Sequence, residues 1–236
     1  MHVLRVLAAA TAGAGAAWSA PAPAPVFEPL ARVLGIPRRL PEPHGVALTF
    51  DDGPHSEGTP AVLEHLREWR ATATFFLVGE QVQRLPTLAA EIVAAGHEVA
   101  LHGYRHRLLL RRTTAALDED LTRAAAVIED AAGVSPRWYR PPYGVFSLGA
   151  LGLVRRRGWQ PVLWSRWGAD WRRSATADSV ARRVTTRLEA GDVVLLHDAD
   201  HYSSADSWLA TLAALPAITA AVAALEEPFV RLTQST

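Results

Sequence analysis

VALTFDDGPHSEGTPAVLEHLREWRATATFFLV, residues 46–78, holds the architecture of the chain in miniature. Residues 46–50 are a short apolar run with Val, Thr and Phe, the composition of a buried strand. Asp51-Asp52-Gly53-Pro54 interrupts it. Val62, Leu63, Leu66 and Trp69 then recur on one helical face after Thr59-Pro60, with Pro60 at the first helical position. A second buried run, residues 74–78, closes the unit. Strand, helix and strand in succession is the pattern of a parallel sheet with crossover helices.

The same alternation fills the rest of the body. Further strands are predicted at 98–101, 137–139, 162–164, 193–196 and 229–232. Between them lie helical stripes: Leu85, Leu88 and Ile92 closed by Gly96; Leu117, Leu121, Ile128 and Ala132 closed by Gly133; and Val180, Val184 and Leu188 closed by Gly191. Leu209, Leu212, Ile218, Val222 and Leu225 mark a last helix, expected to bend at Pro216. Seven strands in this length predict an α/β fold, a distorted parallel (β/α) barrel with about seven strands; the alternative is an open doubly wound sheet. No glycine-rich phosphate-binding motif is present, so nothing recommends a nucleotide site.

Composition removes other classes. The chain has 236 residues and no cysteine, which excludes a disulfide framework, thiolate metal sites and a cysteine nucleophile. There is no lysine, so all 24 basic residues are arginine, and they balance 24 acidic ones. A net charge of zero argues against nucleic acid as a partner. With 49% hydrophobic and 20% charged residues, wholesale disorder is out.

Residues 1–40 read differently from the body. Arg5 is the one charged residue before Glu28, and residues 6–20 are apolar or small. Small residues at Ala14, Ala16 and Ala20 precede Pro21, Pro23 and Pro25. This is the composition of a secretory signal, too short for the ~20 residues of a spanning helix. Residues 1–40 are therefore expected to be a signal-like or anchor segment with a linker, and 41–236 the folded domain. The protein is expected to be exported, either secreted or anchored at the outer face of the cell membrane or in the cell wall.

Ligands of parallel α/β folds bind at the carboxyl ends of the strands. Five strand ends carry polar groups there: Asp51, Asp52 and His55; His102 and His106; Arg140 and Tyr143; Asp170 and Trp171; and His197 with Asp198. Adjacent carboxylates at a buried strand end repel, and a cation relieves the repulsion. His102 and His106, at i and i+4, are expected to share one face of a helical turn and grip one metal. Together with one carboxylate they make a two-His, one-carboxylate set with open positions. One aspartate would ligate and the other would take a proton from a metal-activated water; spacing does not say which. Arg140 could pair with the free carboxylate. His197 is a candidate acid, oriented by Asp170, with Trp171 as an apolar wall. His97 precedes its strand and reads as structural. Asp198, Asp200 and His201 read as a polar loop, and Trp164, Trp167 and Trp171 as core residues or sugar-stacking surfaces.

In order, Thr-Phe-Asp-Asp-Gly-Pro at 49–54, His-Gly-Tyr-Arg-His at 102–106, Arg-Pro-Pro-Tyr-Gly at 140–144, Asp-Trp at 170–171 and Leu-Leu-His at 195–197 resemble the signature of the polysaccharide deacetylase family, the NodB-homology domain of family 4 carbohydrate esterases. The resemblance implies a distorted barrel that binds Zn²⁺, or Co²⁺, Mn²⁺ or Ni²⁺ in its place, and removes acetyl groups from glycans such as peptidoglycan, chitin oligomers or xylan. It implies Asp51 as base and Asp52, His102 and His106 as metal ligands. Arg140 would steady Asp51, the Tyr143 backbone N–H would meet the oxyanion, and His197 would be the acid tuned by Asp170. Trp171 and Leu195 would form the apolar lining. Two positions depart from the pattern. Gly103 stands where Ser or Thr is usual, and Trp167 stands where an Asp is common. Other activities stay open at this point: a catalytically silent glycan-binding barrel, an Fe(II) oxygenase with the same ligand set, or a hydrolase of another C–N bond. No protein partner is implied.

Overall fold

The computed structural model describes residues 15–235. The first part of the signal-like stretch, residues 1–14, lies outside the described residues. Among the described residues seven strands are present: β1 (Ala47–Asp51), β2 (Ala73–Leu77), β3 (Glu98–Leu101), β4 (Trp138–Tyr139), β5 (Gln160–Pro161), β6 (Arg166–Trp167) and β7 (Val193–His197). All pairings are parallel, in the order β5-β4-β3-β2-β1-β7-β6. Laid flat, the edges β5 and β6 would stand about 29 Å apart, six gaps of ~4.8 Å. Yet Pro161 and Arg166 are five residues apart in the chain and can be separated by at most ~17 Å. The ribbon must therefore curl until its two edges approach, and it forms a distorted, incompletely closed barrel.

The seam between the edges is filled by main chain. Leu163 donates its N–H to Pro37 O at 2.9 Å, and Arg38 Nε donates to Trp164 O at 2.9 Å. Residues 162–164, expected to be a strand, mostly use their backbone groups on this seam. The ladder sits two residues earlier, at β5. The short β6 was not foreseen, because Arg166 and Trp167 are half-buried and carry no apolar run. Residues 229–232 form no strand either. Phe229 makes one parallel bridge to Val46, and side chains capture the neighbouring donors: Glu227 takes the Gly45 N–H and Thr74 the Leu232 N–H.

Helices cover the outside: α1 (Glu28–Val33), α2 (Gly58–Glu68), α3 (Gly79–Arg84), α4 (Pro86–Ala94), α5 (Thr114–Ala132), α6 (Leu148–Arg156), α7 (Ala177–Thr185) and α8 (Ser207–Ala224). α2 starts at Gly58, two residues before Pro60. α5 is capped by the Thr113 hydroxyl, which accepts from Ala116 N, and ends on Gly133 at φ +70°. α8 contains Pro216 and is long and apolar enough to cross a membrane, but Trp208, Leu215, Ile218 and Val222 are buried in the protein. β1, β2 and β7 are buried on both faces, except for the last residue of β7. Ala24, Ala31, Ile36 and Leu40, from the stretch preceding the expected catalytic domain, also belong to the core.

Candidate active site

The carboxyl ends of the strands meet in one cleft of about 240 Å³, lined by Asp51, Asp52, His102, His106, Tyr143, Gly144, Trp164, Trp171, Leu195, His197, Tyr202 and Ser203. β1 and β7 lie in register with Asp51 opposite His197, which sets the carboxylate pair beside that histidine. Asp51 ends β1. Asp52 turns away in a left-handed conformation, φ +77°, so two consecutive carboxylates leave the strand in different directions.

Asp52 Oδ1 lies 3.3 Å from His102 Nε2 and 3.3 Å from His106 Nε2. It is buried without a hydrogen bond. The three ligand atoms lie within 4.8 Å of one another. Ligands ~2.1 Å from a tetrahedral ion stand ~3.4 Å apart, so the donor set fits a divalent cation. The fit extends to charge. Burial opposes ionisation of Asp52, but His102 in contact with it and the charge of His197 hold its carboxyl well below the usual carboxylate range. Burial lowers His106 to about 4, so its imidazole is neutral and able to ligate. His102 Nδ1 faces Arg140 O at 2.8 Å, which points Nε2 at the site.

The histidines do not sit on a helix. Residues 102–108 are an irregular turn, and Gly103 at φ +89° supplies a left-handed bend. That conformation explains glycine at this departure from the family pattern. Asp120 Oδ2, accepting from Tyr104 N at 2.8 Å, braces the turn from α5.

Asp51 is held on its other side. Arg140, fully buried, donates from Nη1 to Asp51 Oδ1 at 2.7 Å and to Thr49 Oγ1 at 2.8 Å, and from Nη2 to Leu163 O at 3.1 Å. Its guanidinium lies 4.0 Å over the Phe76 ring. Asp51 Oδ2 is left facing His102 Nε2 at 3.9 Å. Across the cleft, Asp170 accepts from His197 N at 2.7 Å and from Thr211 Oγ1 at 2.7 Å, and meets His197 Nδ1 at 3.0 Å. Burial pushes His197 down, but Asp170, with the charges of Asp52 and Asp51, raises it to about 10. In the metal-free protein the imidazolium is therefore the favoured form, with Nε2 facing Asp52 Oδ2 at 3.9 Å. Trp171 meets the ring edge-on at 5.5 Å.

Every expected ligand and proton carrier thus converges here. His97 lies at the other end of β3 and takes the Ala73 N–H at 3.2 Å, a structural role. Of the three tryptophans, Trp164 and Trp171 line the cleft, whereas Trp167 faces a separate arginine-lined groove. Asp198 is not part of a solvated loop. It is buried beneath Gly53 and is hydrogen-bonded by the Thr59 hydroxyl. Tyr202 and Ser203 were missed, although their place just after β7 is the signal that marks the other site residues.

Comparison with known proteins agrees with this geometry. A family model described as polysaccharide deacetylase matches residues 39–162. A chitooligosaccharide deacetylase of Bradyrhizobium sp. (strain ANU 289) is 40% identical over 154 residues, 65% of this chain and 70% of that protein. Among solved structures, the Bc1960 peptidoglycan N-acetylglucosamine deacetylase is 27% identical with a TM-score of 0.81, covering 89% of this chain and 97% of that one. BA3943 of Bacillus anthracis, a CE4 family pseudoenzyme, is 26% identical with a TM-score of 0.75, covering 84% of this chain and 67% of that one. The chain belongs to the polysaccharide deacetylase family, the NodB-homology hydrolases of carbohydrate esterase family 4.

Proposed function

We propose that this protein removes acetyl groups from the N-acetylated sugars of a glycan such as peptidoglycan or chitin oligomers, with O-acetylated sugars as a further substrate class. The observation that carries this reading is the convergence of a carboxylate–imidazole metal set with a separate base and a separate acid in one cleft. A divalent cation held by Asp52, His102 and His106 supplies Lewis-acid polarisation of the acetyl carbonyl and an acidified water; the nitrogen–oxygen donor set favours Zn²⁺, with Co²⁺, Mn²⁺ or Ni²⁺ as substitutes. Asp51, held through Oδ1 by the Arg140 guanidinium, accepts the proton of the attacking water through Oδ2. The Tyr143 N–H, in a left-handed turn at the cleft wall, faces the developing oxyanion. His197 gives its proton to the departing amine as the C–N bond breaks, and Asp170 stabilises the imidazolium until then. Trp171 and Leu195 keep the acetyl methyl in apolar surroundings.

A shared barrel does not by itself carry activity, since a pseudoenzyme has it too. The complete base, ligand set and acid favour turnover over a catalytically silent glycan-binding barrel, which needs none of them. The test is acetate release from chitin oligomers, peptidoglycan and acetylated xylan. Release should stop with chelator and return with Zn²⁺. Asp51→Asn should bind metal normally and lose ~10²–10⁴-fold in turnover. Glycan binding with no acetate released from any substrate would favour the silent barrel. We further propose that residues 1–20 direct export to the cell envelope, by cleavage or as a retained anchor. The basic start and apolar stretch support this, and fractionation of producing cells tests it.

A further inference from the structure

We infer that Tyr202 is a positioning residue for His106, doing by ring stacking what a hydrogen bond does for His102; this rests on the metal reading above. Metal-ligating histidines almost always donate their second ring N–H to a fixed acceptor. His102 does so through Nδ1 to Arg140 O at 2.8 Å. His106 Nδ1 is buried and makes no hydrogen bond. Besides the neighbouring His102 ring, two tyrosine rings hold His106 instead. Tyr143 meets it edge-on at 4.5 Å, but Tyr143 is 58% exposed and sits in a loop. Tyr202 lies flat against it, with ring centroids 4.4 Å apart and planes 12° from parallel.

Tyr202 is itself fixed. Its hydroxyl accepts from Gln81 Nε2 at 2.9 Å and donates to Glu80 Oε1 at 2.7 Å. Glu80 and Gln81 form the first turn of α3. The same turn holds the histidine turn by its backbone: Gly79 N donates to Gly103 O and Glu80 N to Tyr104 O, each at 2.9 Å. A closed circuit results. The start of α3 grips the main chain that carries His106 and also the phenol that presses on its ring. A displaced Tyr202 would loosen the imidazole about its Cβ–Cγ bond, because no other residue accepts a hydrogen bond from its far nitrogen. The residues after β7 are in this way tied to the metal site without supplying a ligand.

The experiment measures Zn²⁺ affinity by chelator competition and the visible absorption of the Co²⁺-loaded protein. The proteins are wild type, Tyr202→Leu, Tyr202→Phe, Glu80→Gln and His106→Ala, with thermal unfolding of each metal-free protein alongside. Tyr202→Leu should weaken Zn²⁺ binding ~10–100-fold and alter the Co²⁺ spectrum. Tyr202→Phe, which keeps the ring and loses the hydroxyl, should recover most of that loss. Should the Leu variant fail to fold, the Phe and Gln substitutions still decide. Their small losses in metal affinity should not add in a Tyr202→Phe/Glu80→Gln double variant, made as a sixth protein, because both act on one hydrogen bond, which Tyr202→Phe removes and Glu80→Gln weakens. Wild-type affinity and spectrum in Tyr202→Leu, or additive effects of the latch variants, would overturn the inference. If wild type and His106→Ala bind metal equally, the metal assignment itself fails, which is a distinguishable result.

Discussion

Asp52 and Tyr143 are non-glycine residues held at φ +77° and φ +60°, a backbone region that costs of order 1–3 kcal/mol for such residues. Both sit where the site needs a side chain or an amide to leave the strand direction. Arg140 is the other residue on which the site depends. It is wholly buried, and its charge is answered by Asp51. Removing one partner of such a pair strands the other charge. Arg140→Met should therefore destabilise the fold by about 3–5 kcal/mol in urea unfolding, and adding Asp51→Asn should restore much of it. Asp198 shows the opposite electrostatics. Burial raises its carboxyl to about 7, although the Thr59 hydroxyl bonds to it. The folded state then holds a proton that the unfolded chain releases near pH 4, so this contribution to stability is complete below pH 4 and fades as pH rises through 7. In the metal-free protein, Asp198→Asn should flatten the decline in unfolding free energy between pH 4 and 7. An identical pH profile for variant and wild type would refute this. At His197 the sign is the same and the window higher. Asp170→Asn removes the main support of the imidazolium and should move the alkaline limb of kcat/KM downward in pH while lowering turnover.

At the scale of elements, what could be read from sequence follows burial. β1, β2, β3 and β7 are four or five residues long and mostly buried, so each is dominated by apolar residues. β4, β5 and β6 have two residues each, too few to leave a periodic trace. The polar residues after the strands were legible because a parallel fold gathers strand ends whatever the details between them. The shape of the His102–His106 turn was not, since i and i+4 spacing says that two rings are neighbours only if the backbone is helical. Asp198 was misplaced because a charged residue beside other polar ones reads as solvated until a covering turn is seen. Gly144 is an element-scale constraint of the same kind. It has φ +70°, and a Cβ there would run into the Trp164 ring and come 3.1 Å from Pro25. Gly144→Ala should displace the turn carrying Tyr143 and lower kcat, with Zn²⁺ affinity, measured by competition, close to wild type.

The whole molecule is one curled ribbon, and the stretch before residue 41 is part of it. Leu40 N–H bonds to Gly191 O, and Arg39 pairs with the buried Asp192 at 2.7 Å, while Pro37 and Arg38 sit in the seam. Arg140 follows β4 near one end of the ribbon, and Asp170 follows β6 at the other. The groups that steady the base and the acid thus ride on opposite ends of a single spring, with Asp51 and Asp52 near its middle. Residues 162–165 act as a gauge block between those ends. One residue added to that spacer would detune the two proton transfers relative to each other and slow turnover, although every group that moves a proton would still be present.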